Sequence, residues 1–246
     1  MDTKWIIRGL LIATLALGTF YAYDNYASPF HSTPDVDVLL ISDDAVSVTT
    51  EPRLTFAPAD RTPNVGMVFY TGARVDPEAY APLARQIADG GALVVVVKHP
   101  FNFAFFGVSE AGDVLLEHPE ITNWVMAGHS LGGAMAAEFA ERNQRISGLV
   151  LLAAYPGDSS NLAFRSLPSL VIYGSEDGLA TPAEVEEKVG KLLSPNAELV
   201  LIEGGNHAQF GSYGPQAGDG SAAIGRQEQQ DQTAAAILKF LRPNRS

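Results

Sequence analysis

One serine in the chain lies between two glycines, in residues 128–132, which read GHSLG. The glycines two positions before and two positions after Ser130 allow a sharp turn that exposes the serine hydroxyl. An apolar run, residues 124–127, precedes this turn, and a stretch with helical spacing, residues 131–142, follows it. This context is typical of a nucleophile, because a helix N-terminus favours developing negative charge. The competing interpretation is a serine that only caps the helix.

A serine hydroxyl is a weak nucleophile, so it needs a general base, which in turn is oriented by a carboxylate. Asp177 and His207 each follow an apolar, strand-like run, residues 169–173 and 198–202 respectively. The chain order serine, aspartate, histidine is that of a triad built on a parallel sheet. We therefore predict that Ser130 is the nucleophile, His207 the base and Asp177 the orienting acid.

Other residues compete for these roles. Glu176 is adjacent to Asp177 and is an alternative acid, while Asp177 on its own would suit a turn. His99 and His118 also follow apolar segments, but each precedes a proline and comes before the serine in the chain. His207 on its own would suit a structural loop position, so the prediction depends on the three positions together.

Two backbone N–H groups are expected to stabilise the negative charge on the reacting substrate oxygen. The N–H of Leu131, directly after the serine, is one predicted donor, and the N–H of Ala73 is the predicted second. Gly72 and Arg74, the neighbours of Ala73, are alternatives for the second donor. We expect the side chain of Arg74 to be solvated or paired with Asp76.

Aromatic and imidazole side chains near these positions are candidates for the pocket wall. They are His129, inside the glycine–serine turn, and Phe210 and Tyr213, which follow the histidine. Residues 101–106 contain four phenylalanines and are expected either to cover the pocket or to pack under a helix. Residues 154–168 are all that separates two predicted strands, which leaves no room there for a large cap domain.

Apolar runs and helical patterns alternate along the body of the chain. Strands are predicted at residues 36–41, 45–50, 53–57, 65–70, 92–97, 124–127, 149–153, 169–173 and 198–202. Helices are predicted at residues 77–88, 111–118, 131–142, 182–193 and 227–241. The first two strands are expected to form a hairpin around residues 42–44. The alternation predicts an α/β fold with a mostly parallel central sheet flanked by helices, since parallel strands need crossover helices.

The first 30 residues differ in composition from the rest. Residues 9–23 carry no charge and follow Lys4 and Arg8, a pattern typical of an export signal or a membrane anchor. The cleavage motif after them is weak, so we expect an uncleaved N-terminal apolar helix that anchors the protein. Residues 31–246 would then be a catalytic domain outside the cytoplasm. A cleaved signal with an exported protein is the alternative.

Composition excludes several classes of function. The 246 residues include no cysteine, which rules out thiolate nucleophiles, thiolate-bound zinc and disulfides. The 28 acidic residues outnumber the 16 basic ones, for a formal charge of −12, so we expect no binding to nucleic acid. Membrane contact is expected only through the N-terminal helix, and no oligomeric state follows from the sequence.

Three blocks, GHSLGG at residues 128–133, YGSEDG at 173–178 and GGNHAQFG at 204–211, resemble the α/β-hydrolase superfamily. The resemblance extends over almost all of residues 36–246, and the chain is similar to the small esterases of the dienelactone-hydrolase-like group. Dienelactone hydrolases themselves use a cysteine nucleophile, whereas this chain has Ser130. The resemblance implies a serine hydrolase that needs no metal or organic cofactor.

From these residues we expect cleavage of small-molecule carboxylic esters through an acyl-enzyme on Ser130. An acyltransferase, or a lactone or amide hydrolase, with the same triad is the alternative within this chemistry. A non-catalytic binding protein of the same fold is the alternative from another class. Such proteins usually lack one residue of the triad.

Overall fold

Residues 28–242 are described by the computed structural model, and within them eight strands form one sheet. The strands are β1 (Val46–Thr49), β2 (Leu54–Pro58), β3 (Val65–Tyr70), β4 (Leu93–Val97), β5 (Asn123–His129), β6 (Ile146–Leu152), β7 (Ser169–Gly174) and β8 (Glu198–Ile202). Their order across the sheet is β1-β2-β4-β3-β5-β6-β7-β8. β2 is antiparallel to both β1 and β4, and the strands from β4 to β8 are parallel. The predicted mostly parallel sheet is confirmed.

Helices cover both faces of the sheet, as predicted. They are α1 (Ala81–Asp89), α2 (Glu110–Glu117), α3 (Leu131–Arg142), α4 (Pro182–Leu192) and α5 (Arg226–Leu241). Shorter 3-10 helices are Pro34–Leu40, Pro77–Tyr80, Pro100–Asn102, Ala104–Phe106 and Ala208–Phe210. α1 and α5 contribute to the apolar core on one face, and α2, α3 and α4 contribute to the core on the other. β4 alternates between the two cores, which explains its uninterrupted apolar sequence.

The predicted first strand, residues 36–41, is wrong. Pro34–Leu40 form a 3-10 helix, and the N-terminal hairpin is formed instead by β1 and β2. The proline fixes a φ angle that suits the start of a helix. Val36 is buried and Leu39 packs against the same core, a spacing of three that suits a helix. Val38, whose apolar character favoured a strand, is 67% exposed.

The predicted membrane-anchored location is wrong for the part of the chain that the structure describes. No helix within residues 28–242 is both long enough and apolar enough to cross a membrane. The predicted N-terminal apolar helix, whether anchor or cleaved signal, lies outside the described residues.

A ligand site is expected at one edge of the sheet. This is the edge where the carboxyl ends of the parallel strands β3, β5, β6, β7 and β8 meet, because ligand sites form there in such sheets.

Candidate active site

Ser130 occupies a sharp turn between β5 and α3, in a conformation that few residues other than glycine adopt. Its φ and ψ angles are 53° and −125°. The Ser130 N–H donates to the carbonyl of Leu152, at the end of β6, at 3.0 Å, and the Ser130 carbonyl accepts from the N–H of Gly133 at 2.9 Å. These bonds hold the strained turn from both sides, and strain of this kind is common at functional sites.

Two glycines make the turn possible because they remove side chains where backbone segments touch. A Cβ added to Gly128 would lie 2.5 Å from the backbone of Gly132, and one added to Gly132 would lie 2.2 Å from the carbonyl oxygen of Thr71. Both distances are shorter than any real contact of a Cβ atom. The second contact brings the loop after β3 against the N-terminus of α3, and so brings it beside Ser130.

Asp177 and His207 form a buried hydrogen bond. The His207 Nδ1–H donates to Asp177 Oδ2 at 2.9 Å, and the two side chains are 3% and 0% exposed, respectively. The second carboxylate oxygen of Asp177 accepts from the N–H groups of Leu179 at 2.8 Å and Ala180 at 2.7 Å. The carboxylate is therefore held in place, and His207 Nε2 is the ring nitrogen left for another partner. The alternative acid Glu176 is exposed and accepts instead from the hydroxyl of Ser175 at 3.1 Å.

Ser130 and His207 line the same cavity, of about 350 Å³. We call it the serine cavity. Its other lining residues are mostly small and apolar: Leu131, Ala134, Ala153, Ala154, Tyr155, Leu179, Ala180 and Gln216. The structure therefore brings the predicted nucleophile, base and acid together at one edge of the sheet.

The hydrogen bonds of the loop after β3 distinguish among the three predicted second oxyanion donors. The N–H of Gly72 donates to Tyr80 Oη at 2.9 Å, and the N–H of Arg74 donates to the carbonyl of Asn102 at 2.8 Å. Both groups are therefore engaged, whereas the N–H of Ala73 between them has no partner among residues 28–242. Leu131 is the first residue of α3, where the N–H has no partner within the helix. Ala73 and Leu131 are thus the available pair.

His129, Phe210 and Tyr213, predicted as candidates for the pocket wall, are buried behind His207 and do not line the serine cavity. The ring of His129 lies 4.6 Å from that of His207, centroid to centroid. Tyr80 Oη pairs with His129 Nδ1 at 2.8 Å. Because Tyr80 Oη already accepts the Gly72 N–H, it connects this buried layer to the loop that carries Ala73.

Burial and the neighbouring His207 lower the pKa of His129 well below its usual value. His129 is therefore neutral at pH 7.

Asp219 has a structural role that sequence reasoning missed. Its carboxylate accepts from the N–H groups of Gly178 at 3.2 Å, His207 at 3.2 Å, Ala208 at 2.9 Å and Gly220 at 2.8 Å. It therefore joins the loop that follows Asp177 to the loop that carries His207. The local sequence, an aspartate between two glycines, indicates only a turn.

The less favoured histidines and the phenylalanine-rich segment are not part of the wall of the serine cavity. His99 is buried with its ring 4.6 Å from that of Tyr70, and His118 pairs with Glu120 at 3.1 Å. In the segment 101–106, Ala104 is buried while Phe101 is 83% exposed. None of these residues lines the serine cavity. Over the described range, no group of three histidine or carboxylate side chains is placed to hold a metal ion.

Comparison with known proteins agrees with this fold. Residues 66–231 match the alpha/beta hydrolase family. TT1662 from Thermus thermophilus has a similar structure, with a TM-score of 0.58 and 14% identity over 82% of this chain and 100% of that chain. A predicted CIB-like hydrolase from Thermoplasma acidophilum has the same TM-score and identity, over 80% and 98% of the two chains. At this identity both likenesses concern the fold alone.

No curated protein matches the sequence. The family match nevertheless covers more than half of the 246 residues, and it includes β5, the turn at Ser130 and the loops that carry Asp177 and His207. The chain therefore belongs to the alpha/beta hydrolase family.

Proposed function

We propose that this protein hydrolyses small-molecule carboxylic esters through an acyl-enzyme on Ser130. The observation that carries the proposal is the cavity that Ser130 and His207 both line. His207 Nδ1 is hydrogen-bonded to the carboxylate of Asp177 at 2.9 Å. A serine, a base and an orienting acid in this arrangement perform acyl transfer on unrelated folds.

In the proposed first step, Ser130 Oγ attacks the ester carbonyl carbon while its proton moves to His207 Nε2. Asp177 stabilises the imidazolium that results. The carbonyl oxygen becomes negatively charged, and the N–H groups of Leu131 and Ala73 donate to it. The bond from carbon to the alcohol oxygen then breaks, and the imidazolium returns its proton to that oxygen.

In the second step, water enters in place of the departed alcohol. His207 takes a proton from the water, whose oxygen attacks the acyl carbon. The tetrahedral intermediate collapses with release of the acid, and Ser130 Oγ recovers its proton from the imidazolium. No step needs a metal or an organic cofactor.

The walls of the serine cavity support an ester with an apolar acyl group. Ala134, Ala153, Ala154 and Ala180 surround the nucleophile, and such walls offer apolar contact but no charged partner. Transfer of an apolar acyl group into this space is favourable, because apolar surface is removed from water.

The first test compares Ser130→Ala, His207→Ala and Asp177→Asn with the wild-type chain on p-nitrophenyl acetate and butyrate. We expect kcat to fall by about three orders of magnitude or more in the first two variants, since each loses a group that acts in the transition state. A fluorophosphonate probe should label the wild-type chain and not Ser130→Ala.

The matched control is His118→Ala, because His118 is partly exposed and does not line the serine cavity. It should keep the wild-type rate and label normally. Wild-type rates in both Ser130→Ala and His207→Ala would contradict the proposed mechanism. A folded wild-type chain that neither labels nor hydrolyses either ester would contradict the proposed function itself.

A further inference from the structure

A second cavity, of about 430 Å³, adjoins the serine cavity. We call it the polar cavity. Gln216 lines both cavities, so this residue lies at the boundary between them. Asn206 and Ala208, the neighbours of His207, line the polar cavity. The loop of the proposed general base therefore separates a small apolar space from a larger polar one.

The charged groups of the polar cavity already have protein partners. Asp219 accepts from four backbone N–H groups, as described above. Arg226 pairs with the carboxylate of Asp35 and donates to the hydroxyl of Thr33 at 3.3 Å. These bonds satisfy both charges, so the cavity offers little to a charged ligand.

Neutral polar atoms in the polar cavity remain available. Tyr213 donates its hydroxyl to Gln216 Oε1 at 3.2 Å, which leaves the amide nitrogen of Gln216 free to donate. The amide nitrogen of Gln209 donates to the carbonyl of Ile224 at 3.1 Å, which leaves the side-chain oxygen of Gln209 free to accept. Within residues 28–242 these two atoms and the hydroxyl of Ser221 have no hydrogen-bond partner. They suit a ligand that carries several hydroxyl groups.

The chemistry of ester cleavage determines which part of the substrate lies in the polar cavity. The leaving alcohol oxygen must receive its proton from His207, so the alcohol departs on the side of the histidine loop. The polar cavity is built from that loop and the segment that follows it, whereas four alanines, two leucines and a tyrosine line most of the serine cavity.

We propose that the polar cavity binds the alcohol part of the substrate, and that the substrate is a carboxylic ester of a neutral, polyhydroxylated alcohol such as glycerol or a sugar. This inference rests on the proposed ester hydrolysis. It adds the substrate class and assigns Gln209, Gln216 and Ser221 to recognition of the alcohol.

The test uses three acetate esters with the same acyl group. Glycerol monoacetate is compared with 2-methylbutyl acetate, in which methyl groups replace the free hydroxyls, and with methyl acetate, whose alcohol is too small to reach the polar cavity. We expect kcat/KM for glycerol monoacetate to exceed that for 2-methylbutyl acetate by about tenfold, since each satisfied hydrogen bond contributes a few-fold.

Two variants locate the effect in the polar cavity. Ser221→Trp, at an exposed position on the cavity wall, should lower the ratio of kcat/KM for glycerol monoacetate over methyl acetate by about tenfold, because the indole fills the space. Gln216→Leu should bring the rates on glycerol monoacetate and 2-methylbutyl acetate closer together. Ala217→Trp is the matched control, since Ala217 is exposed and lines neither cavity, and it should keep wild-type values for every ester.

The outcomes separate this inference from the proposed function. Ser130-dependent hydrolysis that treats the three acetates alike would overturn the inference and leave ester hydrolysis standing. The same holds if neither Ser221→Trp nor Gln216→Leu changes the ratios. Failure of the folded wild-type chain to hydrolyse any acetate would overturn both.

Discussion

At the scale of single residues, Ser130 is the proposed nucleophile and also has a strained backbone conformation. A φ of 53° with a ψ of −125° costs a residue with a Cβ about 1–3 kcal/mol. Glycine does not pay this penalty, because it has no Cβ to clash. The strain is tolerated because bonds to β6 and α3 hold the turn, and the turn leaves Ser130 on the wall of the serine cavity, as the proposed function requires.

We therefore predict that Ser130→Gly is more stable than Ser130→Ala by about 1 kcal/mol, because alanine keeps the strained Cβ and glycine removes it. Both variants lack the nucleophile and should be inactive. Urea unfolding of the two proteins at pH 7.5 measures the difference. Equal midpoints would show that the turn is not strained in solution.

The environment of His207 at the same scale favours its proposed role. A charge on His129, 4.6 Å away, would oppose the imidazolium that forms on His207 during acyl transfer. Burial lowers the pKa of His129 and so keeps it neutral. Tyr80 fixes the orientation of that neutral ring and holds the Gly72 N–H at the same time.

At the scale of elements, the contact between α3 and the loop after β3 aligns the proposed oxyanion donors. The helix supplies Leu131 and the loop supplies Ala73, and Gly132 lies at their point of contact. A larger residue at position 132 would push the two elements apart.

We predict that Gly132→Ala destabilises the protein by about 3 kcal/mol or more and lowers kcat, since its Cβ would lie 2.2 Å from the Thr71 oxygen and overpacking at backbone atoms is not relieved easily. Gly190→Ala is the matched control in α4, where an added Cβ meets nothing within 4 Å. It should stabilise by about 0.5–1 kcal/mol, the ordinary helix preference for alanine. Thermal unfolding and ester hydrolysis of both variants provide the measurement, and similar destabilisation at the two positions would contradict the prediction.

At the scale of the whole molecule, two apolar cores on either side of one sheet enclose titratable groups. Burial lowers the pKa of His99 to about 4, and burial also lowers the pKa of His129. In the unfolded chain, histidine has a pKa of about 6.5. Between pH 6.5 and pH 4 the unfolded chain therefore binds more protons than the folded one, so the free energy of unfolding decreases as the pH falls.

We predict that the burial of His99 alone lowers the stability of the protein by about 2 kcal/mol between pH 7 and pH 5. His99→Phe keeps an aromatic ring against Tyr70 and removes one of these groups. Its free energy of unfolding should fall less over this range than that of the wild type, by about 2 kcal/mol. Urea unfolding at pH 7 and pH 5 tests this, and parallel pH profiles for the two proteins would contradict it.

Much of the fold follows from local sequence patterns. Strands β3 to β8 and all five α-helices within residues 28–242 lie where apolar runs and helical spacing predicted them, because these patterns depend on residues close together in the chain. The N-terminal segment was misread. The alternating residues 36–41 resemble a strand locally, but Pro34 and packing against the core favour a 3-10 helix.

Sequence alone determined the positions of Ser130, Asp177 and His207 at strand ends, since strand, turn and helix signals are all short-range. The tertiary structure decided which groups surround them. Asp219 bonds to Gly178, 41 residues away in the chain, and the partner of the Gly72 N–H leaves Ala73 as the available donor. Such features depend on which segments meet in space, and the short-range patterns of a sequence do not record those contacts.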